Sequence, residues 1–422
     1  MSLRHGRPLV MIPGPSVIPD RVLNAMRRPI PNIYEGEVVD LTYSLLERLP
    51  AVARTEHRAY IAISNGHGAW EMAITNTLSR GDKVLVLEVG HFATNWAEMA
   101  AMSGVKFEVL HAADRAAIEP DAVTERLRAD VGREFAAVLV AQTDTASSVR
   151  NDIAAVRRAM DQADHPALLM ADCVASLGCE PFEMDAWNVD VTVAGSQKGL
   201  MVPPGLGMVW VGPRAWEAHQ RADLRTAYWD WTRRTDPDAH YWIFCGTPPV
   251  QHLWGLAEAL DMIDEEGLEN VWERHRVMAS AIHAAVEAWS APGGLELNVL
   301  NPAHRSNSVT MIRTGEVSAQ QLRATCESEA GLTLGLSITG NADAEFRIGH
   351  MGHLNPPMLL GTLGTIEATL AAVDAPMGAS GVAAAAQVIA EATTPAPKPA
   401  PGPEGTCCSA SSMPPSQQST PP

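Results

Sequence analysis

The 422-residue sequence has no uninterrupted apolar run near the roughly 20 residues that a membrane span needs. Basic residues are scarce, since 31 Lys and Arg stand against 49 Asp and Glu and leave a formal charge of −18. This balance disfavours nucleic acid and anionic membranes as partners, because both bind clustered Lys and Arg. Six cysteines in so long a chain make no disulfide framework. No apolar signal segment precedes Pro13, so we expect a cytoplasmic protein.

The length and the composition predict more than one domain. Hydrophobic residues make up 46% of the chain, which is enough for a sizeable core. We predict an N-terminal segment over 1–20, a large domain over 21–266, a smaller C-terminal domain over 267–393 and a tail over 394–422. The tail is rich in Pro and Ser and has almost no aliphatic residues, so we expect it to be disordered.

Short apolar runs alternate with helical patterns through the large domain. Strands are predicted at Ala59–Ile63, Lys83–Leu87, Ala136–Ala141, Ala167–Ala171 and Val189–Ala194. This alternation predicts an α/β fold with a mostly parallel sheet covered on both faces. Ligands bind such sheets beyond the carboxyl ends of the strands, and polar clusters follow most of these runs.

The C-terminal part of the chain has a different pattern. Amphipathic helices are predicted from Leu253 through Ala285. Strand patterns at Ser308–Ile312 and Phe346–Gly349 then flank a helix near Leu322. These elements indicate a smaller α+β domain.

Lys198 is the first candidate for chemistry. It follows the strand at Val189–Ala194 and has glycines at 195 and 199, which allow a cofactor to approach closely. A desolvated site lowers the pKa of a lysine, and the neutral amine can then form a Schiff base. The alternative is an ordinary solvated loop lysine, the more common case for a lysine taken alone.

Asp172 strengthens the first interpretation of Lys198. It ends the strand one crossover earlier, where a carboxylate can bind a protonated pyridine nitrogen, as pyridoxal phosphate requires. A helix-capping aspartate is the alternative. Together, Lys198 and Asp172 indicate a pyridoxal-phosphate site more specifically than either residue does alone.

Other strand ends offer groups for the rest of such a cofactor and for its substrate. Gly66-His67-Gly68 opens a helix whose N–H groups can hold a phosphate, although it is also an ordinary strand–helix turn. Phe92 can stack on a flat ring or simply fill the core. Thr145 can donate to the phenolic oxygen of the cofactor. Arg347 can bind a substrate carboxylate bidentately, or be a surface arginine.

Several segments, in order along the chain, match one known family. They are Asn65–Glu71, Gly90–Thr94, Asp172–Ser176, Gly195–Met201, Pro203–Gly205 and Phe346–His350. Further likeness lies at Pro13–Ser16, Tyr228–Trp231 and Glu258–Asp261. Together these segments resemble the class V pyridoxal-phosphate aminotransferases, and especially the serine–glyoxylate and alanine–glyoxylate group. The resemblance runs from about Pro13 to about Ala372.

The resemblance implies a fold-type I pyridoxal-phosphate transferase with a seven-stranded sheet, working as a homodimer with active sites at the subunit interface. It implies that Lys198 forms the Schiff base, that Asp172 binds the pyridine nitrogen and that Arg347 binds the substrate carboxylate. The implied cofactor contacts are Gly66, His67, Phe92, Thr145, Asp172, Val174, Gln197, Lys198 and, from the neighbouring subunit, Thr247. The expected reaction moves an amino group from serine or alanine to glyoxylate or a similar 2-oxo acid.

Three places differ from the family pattern. Gln142–Ser148 replaces a run like His-Asn-Glu-Thr-Ser-Thr-Gly, Ile33-Tyr34 replaces a His-Arg pair, and Phe244 replaces a tyrosine. Each difference bears on which substrates are used.

Two other functions remain open on this scaffold. Cysteine desulfuration needs a mobile cysteine near the substrate, and Cys326 lies in a predicted helix. A non-catalytic protein that binds pyridoxal phosphate is the other alternative. His350 and His353 are too few ligands for a metal site, so we predict no metal.

Overall fold

The computed structural model describes residues 2–235, 240–338 and 340–393. The tail predicted over 394–422 therefore lies outside the described residues. Within them, helices surround two separate β-sheets. The strands in chain order are β1 Leu9–Met11, β2 Arg58–Ser64, β3 Lys83–Glu88, β4 Lys106–His111, β5 Phe135–Ala141, β6 Leu168–Asp172, β7 Val191–Gly195, β8 Gly205–Val211, β9 Glu296–Leu297, β10 Val309–Arg313, β11 Leu332–Leu336 and β12 Glu345–Gly349.

The helices connect and cover these strands. In chain order they are α1 Asp20–Ala25, α2 Glu37–Val52, α3 Gly66–Thr77, α4 His91–Met102, α5 Pro120–Ala129, α6 Ile153–Gln162, α7 Pro213–Arg221, α8 His240–Ile243, α9 Val250–Glu266, α10 Leu268–Trp289, α11 Ala319–Ala330, α12 Pro356–Ala372 and α13 Gly381–Thr393. Short 3-10 helices lie at Arg233–Thr235 and Pro302–His304.

The larger sheet has seven strands in the order β2-β8-β7-β6-β5-β3-β4, and β8 alone runs opposite to the other six. Its central strands are apolar on both faces. In β3, Leu85 and Leu87 point into the core on one face, while Val84 and Val86 point into the core on the other. The predicted α/β class with a mostly parallel sheet covered on both faces is confirmed.

The smaller sheet has the order β1-β11-β12-β10-β9. Its strands β10, β11 and β12 pair antiparallel, whereas β1 from the N-terminus adds to β11 in parallel. Helices α10 to α13 supply most of the apolar residues that pack with this sheet. The domain boundaries predicted at 20, 266 and 393 stay predictions.

Two strands of the larger sheet were not predicted, and each has a physical reason. In β8, the run from Gly205 follows Pro203-Pro204, which favours a turn. In β4, no residue of Lys106–His111 is fully buried, because the strand lies at the edge of the sheet and lacks a continuous apolar run.

Candidate active site

The loops after four parallel strands meet the start of α3 at one edge of the larger sheet. They enclose a cavity of about 130 Å³. Eight residues predicted from the sequence line this cavity: Gly66, His67, Phe92, Thr145, Asp172, Val174, Gln197 and Lys198. Trp70, Thr143 and Ala175 complete the lining and were not predicted.

Lys198 lies in the loop that follows β7, with its side chain only partly exposed. Its Nζ donates a hydrogen bond to the carbonyl oxygen of Pro13. Burial lowers the pKa of Lys198 to about 8, and the positive charge of Arg347 acts in the same direction. The amine is therefore easier to deprotonate than an ordinary lysine, as a nucleophile or proton acceptor needs to be.

Asp172 is the last residue of β6 and is only 4% exposed. Its Oδ1 accepts a hydrogen bond from the backbone N–H of Val174 at 2.8 Å. Burial raises the pKa of Asp172 to about 7; the Val174 N–H opposes this shift and the nearby Asp144 carboxylate adds to it. The indole N–H of Trp70 lies close by but outside hydrogen-bonding geometry. A cationic partner at this carboxylate would relieve the cost of its burial.

The start of α3 also lines the cavity. Asn65 caps the helix, because its Oδ1 accepts from the N–H groups of His67 at 3.0 Å and Gly68 at 3.4 Å. Gly66 has no room for a side chain, since a Cβ there would lie 2.7 Å from Val174 Cγ2. Gln197 lines the same cavity, and its buried Oε1 has no hydrogen-bond partner.

An aromatic wall closes one side of the cavity. Phe92, the second residue of α4, meets Trp70 edge-on with ring centroids 6.2 Å apart. The start of α4 is held by Asp144, which is fully buried and accepts the N–H of Phe92 at 2.7 Å. Asp144 also accepts from Ala146 at 2.8 Å and Ser147 at 3.1 Å, and burial raises its pKa. Sequence reasoning missed Asp144, although it follows a predicted strand.

Arg347 lies in β12 of the smaller sheet and is 7% exposed. Its Nη1 donates to the carbonyl oxygen of Thr145 at 2.7 Å, and its Nε donates to that of Leu336 at 2.8 Å. Arg347 does not line the cavity but is bonded to Thr145, which does. Burial lowers the pKa of Arg347 to about 10, still high enough to keep the guanidinium charged at neutral pH.

Thr247 is exposed and does not line the cavity of its own chain. The sequence resemblance assigned it to the active site of a neighbouring subunit, and that assignment stays a prediction.

The places that differ from the family pattern have different surroundings in the structure. Gln142 donates to the carbonyl of Pro181 at 2.9 Å, and Thr143 donates to the buried Glu180 at 2.8 Å. Ser148 keeps a left-handed φ of 59°, at the position where the family run has glycine. Phe244 is fully buried, whereas Tyr34 is 79% exposed.

A much larger cavity, of about 1100 Å³, lies along the edge strand β2 and contains none of the predicted site residues.

His350 is buried and hydrogen-bonded to Thr310 and to the carbonyl of Asn307, which is a structural role. Among the described residues, no group of three or more His, Cys, Asp or Glu side chains is arranged to hold a metal ion. In the same part of the chain, no helix is both long enough and apolar enough to span a membrane.

The residues at the cavity fit pyridoxal phosphate. The tight cradle at Gly66 lies at the helix start, where a phosphate group is favoured. The amide oxygen of Gln197 has no partner to hold it in place, so the side chain can turn its NH2 group, the donor that a phosphate needs, toward this position. Asp172 offers a buried carboxyl for the pyridine nitrogen, and Lys198 offers an amine for the aldehyde.

Comparison with known proteins agrees with this geometry. The family model of aminotransferase class V matches residues 53–341. The chain is 40% identical to a serine–glyoxylate aminotransferase of Methylorubrum extorquens, over 92% of this chain and 97% of that protein. This chain belongs to the class V aminotransferases.

Two more relatives of this class V aminotransferase are informative. An L-aspartate–glyoxylate aminotransferase of Paracoccus denitrificans is 38% identical, over 92% of this chain and 98% of that protein. A pyridoxamine–pyruvate aminotransferase of Mesorhizobium loti has a solved structure with a TM-score of 0.85 and 26% identity, covering 93% of this chain and all of that one. The fold is that of the fold-type I pyridoxal-phosphate aminotransferases, as the resemblance implied.

The geometry of Cys326 weighs against a cysteine desulfurase in this class V aminotransferase. Cys326 is fully buried in α11, where its Sγ donates to Thr369 Oγ1 at 3.4 Å. Burial raises the pKa of its thiol, so the thiolate that desulfuration needs is disfavoured. Cys326 does not line the cavity.

Proposed function

We propose that this enzyme binds pyridoxal phosphate at the 130 Å³ cavity and transfers an amino group from a small amino acid, serine or alanine, to glyoxylate or a similar 2-oxo acid. The observation that carries the proposal is the convergence of Lys198 and Asp172 on this one cavity, with their pKa values moved toward each other. The names of the serine–glyoxylate and aspartate–glyoxylate relatives support glyoxylate as the acceptor. A cytoplasmic location remains a prediction from the sequence.

Each residue has a proposed role. Pyridoxal phosphate, when bound, supplies an aldehyde that takes up the amino group and a ring that withdraws electrons from the substrate Cα. Asp172 holds the proton on the pyridine nitrogen, and Phe92 and Val174 face the cofactor ring. Gly66, His67 and Gln197 bind the phosphate, and Thr145 donates to the phenolic oxygen.

Lys198 anchors the cofactor and then acts on the substrate. Because burial lowers its pKa to about 8, an appreciable fraction of the free amine is neutral near neutral pH. We infer that Nζ takes the proton from the substrate Cα and would deliver it to the aldehyde carbon of the cofactor, the transfer that transamination requires. Arg347 orients the substrate by binding its carboxylate. For this, it must turn one N–H from the carbonyl of Thr145 or use Nη2, which has no hydrogen-bond partner among the described residues.

The substrate pair is tested with a panel of amino donors. We expect serine and alanine to form glycine from glyoxylate, with aspartate as the third donor. For serine, glycine should form from glyoxylate faster than alanine forms from pyruvate. Glycine and alanine are measured by chromatography. Cofactor binding with no converted donor would favour the non-catalytic alternative. Sulfide release from cysteine that depends on Cys326 would favour the desulfurase alternative.

We further propose a homodimer in which Thr247 of one subunit helps to bind the phosphate in the other. Its exposure, and its absence from its own cavity, support this arrangement. Thr247→Asp places a carboxylate beside the phosphate and should inactivate the site that it faces. Lys198→Ala inactivates the site within its own chain.

Mixing these two inactive variants tests the arrangement. A mixed dimer has one site with both defects and one with neither, so after complete subunit exchange about a quarter of the wild-type activity should return. Thr247→Ser, which keeps the hydroxyl, should remain active. If Thr247 acted within its own chain, the mixture would stay inactive.

A further inference from the structure

The N-terminal segment 12–16 connects the smaller sheet to the loop that carries Lys198. Just before it, β1 pairs with β11, with Leu9 opposite Leu332. The segment then lies directly on two strands of the smaller sheet at glycines. A Cβ at Gly335 would lie 2.6 Å from Pro13 Cδ, and a Cβ at Gly349 would clash with the carbonyl of Ile12. This close approach fixes the segment against β11 and β12.

The other end of the segment fixes the backbone at Lys198. Ser16 is 8% exposed, and its Oγ donates to the carbonyl oxygen of Lys198 at 2.8 Å. Its backbone N–H donates to the carbonyl oxygen of Gln197 at 2.9 Å. Two successive carbonyls of the lysine loop are thus held by one serine.

The middle of the segment contacts the amine itself. Pro13 accepts a hydrogen bond from Lys198 Nζ through its carbonyl oxygen. Gly14 has a φ of +94°, and a Cβ there would lie only 2.5 Å from Nζ. A five-residue segment therefore contacts both the backbone carbonyl and the amine of Lys198.

We propose that Ser16 is a positioning residue for Lys198, which sets the backbone from which the amine reaches the cofactor. The inference rests on the proposed function, in which Lys198 anchors the cofactor and accepts the proton. Without the Ser16 hydroxyl, the carbonyl of Lys198 keeps only the N–H of Met201, at 3.1 Å, as a hydrogen-bond donor, and the tie between the loop and the N-terminal segment is weakened, so the loop can shift. A displacement of the amine by a fraction of an ångström slows proton transfer but leaves the carboxylate contact at Arg347 unchanged.

The test compares three variants as holoenzymes loaded with pyridoxal phosphate. Ser16→Ala removes the hydroxyl that holds the backbone of Lys198. Gly14→Ala adds a methyl group that contacts Nζ at the far end of the side chain. Ser380→Ala is the control, because its Oγ also donates to a single acceptor, Glu367 Oε1 at 2.8 Å, but caps the distant helix α13. The measurements are kcat, KM for the amino donor, and the pH midpoint of the absorbance band formed by Lys198 and the cofactor.

For Ser16→Ala we expect kcat to fall roughly tenfold with KM within about twofold of wild type. We expect the pH midpoint of the band to shift in both Ser16→Ala and Gly14→Ala, and to stay unchanged in Ser380→Ala. Ser16→Thr, which keeps a hydroxyl, should restore the wild-type midpoint. A purely structural role would lower the melting temperature without moving the midpoint.

The inference is overturned if Ser16→Ala keeps the wild-type kcat and midpoint, or if its midpoint moves no more than that of Ser380→Ala. A failure of the proposed function looks different, because the wild-type protein itself would then form no such band and convert no donor.

Discussion

Replacing Lys198 with alanine should lower transaminase activity by at least roughly a thousandfold, because the variant loses both the covalent anchor of the cofactor and the proton acceptor. The variant should still fold, since the cost of burying the amine in the cavity disappears. Borohydride reduction should fix the cofactor covalently to Lys198 in the wild-type protein and to no residue of the variant. Mass spectrometry of the digested proteins identifies the modified residue. Turnover is measured as glycine formed from glyoxylate.

The control for this prediction is Lys106→Ala. Lys106 is an exposed lysine at the start of the edge strand β4, and its replacement should leave turnover unchanged. Added methylamine should restore part of the activity of Lys198→Ala, because a small amine can enter the space that the side chain leaves and accept the proton. Full turnover in Lys198→Ala, or reduction products on a different lysine, would contradict the assignment.

The residues that follow strands could be predicted from the sequence because parallel strands end at one edge of a sheet. Phe92, Asp172 and Lys198 lie in different parts of the chain, and each ends a strand or follows one within a few residues. Their convergence on one cavity needs only the general rule for such sheets. The strand order was not needed for these three residues.

Other site residues depend on which strands are neighbours, and the sequence alone does not show this. Asp144 follows β5 but accepts its shortest hydrogen bond from Phe92, which follows β3. That contact exists because β5 lies beside β3 in the sheet. Ser16 reaches Lys198 from 182 residues away, through the pairing of β1 with the smaller sheet. No local pattern around Asp144 or Ser16 carries this information.

The helix α12 was missed for a different reason. Its residues Pro356–Ala372 include apolar residues on every side, so the amphipathic period that marks a helix is weak. One side of the helix packs in the core with the smaller sheet, and its exposed side carries small residues such as Gly361, Ala368 and Ala371 in place of charged ones.

Replacing Asp172 with asparagine should lower turnover roughly a hundredfold or more, the second largest effect we expect. Asparagine has nearly the same shape and can still accept the N–H of Val174, so the fold of the loop is retained. It carries no negative charge, however, and cannot hold a proton on the pyridine nitrogen, so the carbanion at the substrate Cα is stabilised less. The affinity for pyridoxal phosphate should fall as well, which is measured by titrating the cofactor-free protein.

The same variant tests the electrostatics of the buried carboxyl. In the cofactor-free wild-type protein, the pKa of Asp172 is raised from 3.8 to about 7, so the folded state binds a proton that the unfolded chain releases. The contribution of Asp172 to stability is therefore fully present below about pH 4 and is lost as the pH rises through 7, at a cost of up to about 4 kcal/mol. Asp172→Asn should not show this decline.

The measurement is the free energy of unfolding in urea between pH 4 and pH 8 for both proteins. Glu180 also has a raised pKa, but it is present in both proteins and cancels in the difference. Asp144 acts on Asp172, so its own decline of the same sign becomes smaller in Asp172→Asn and adds to the difference. Pyridoxal phosphate should flatten the wild-type curve, because its protonated ring nitrogen gives the carboxylate an opposite charge. Parallel curves for wild type and Asp172→Asn would mean that the carboxyl is ionised without such a partner, and the role of Asp172 in holding the ring proton would lose its electrostatic basis.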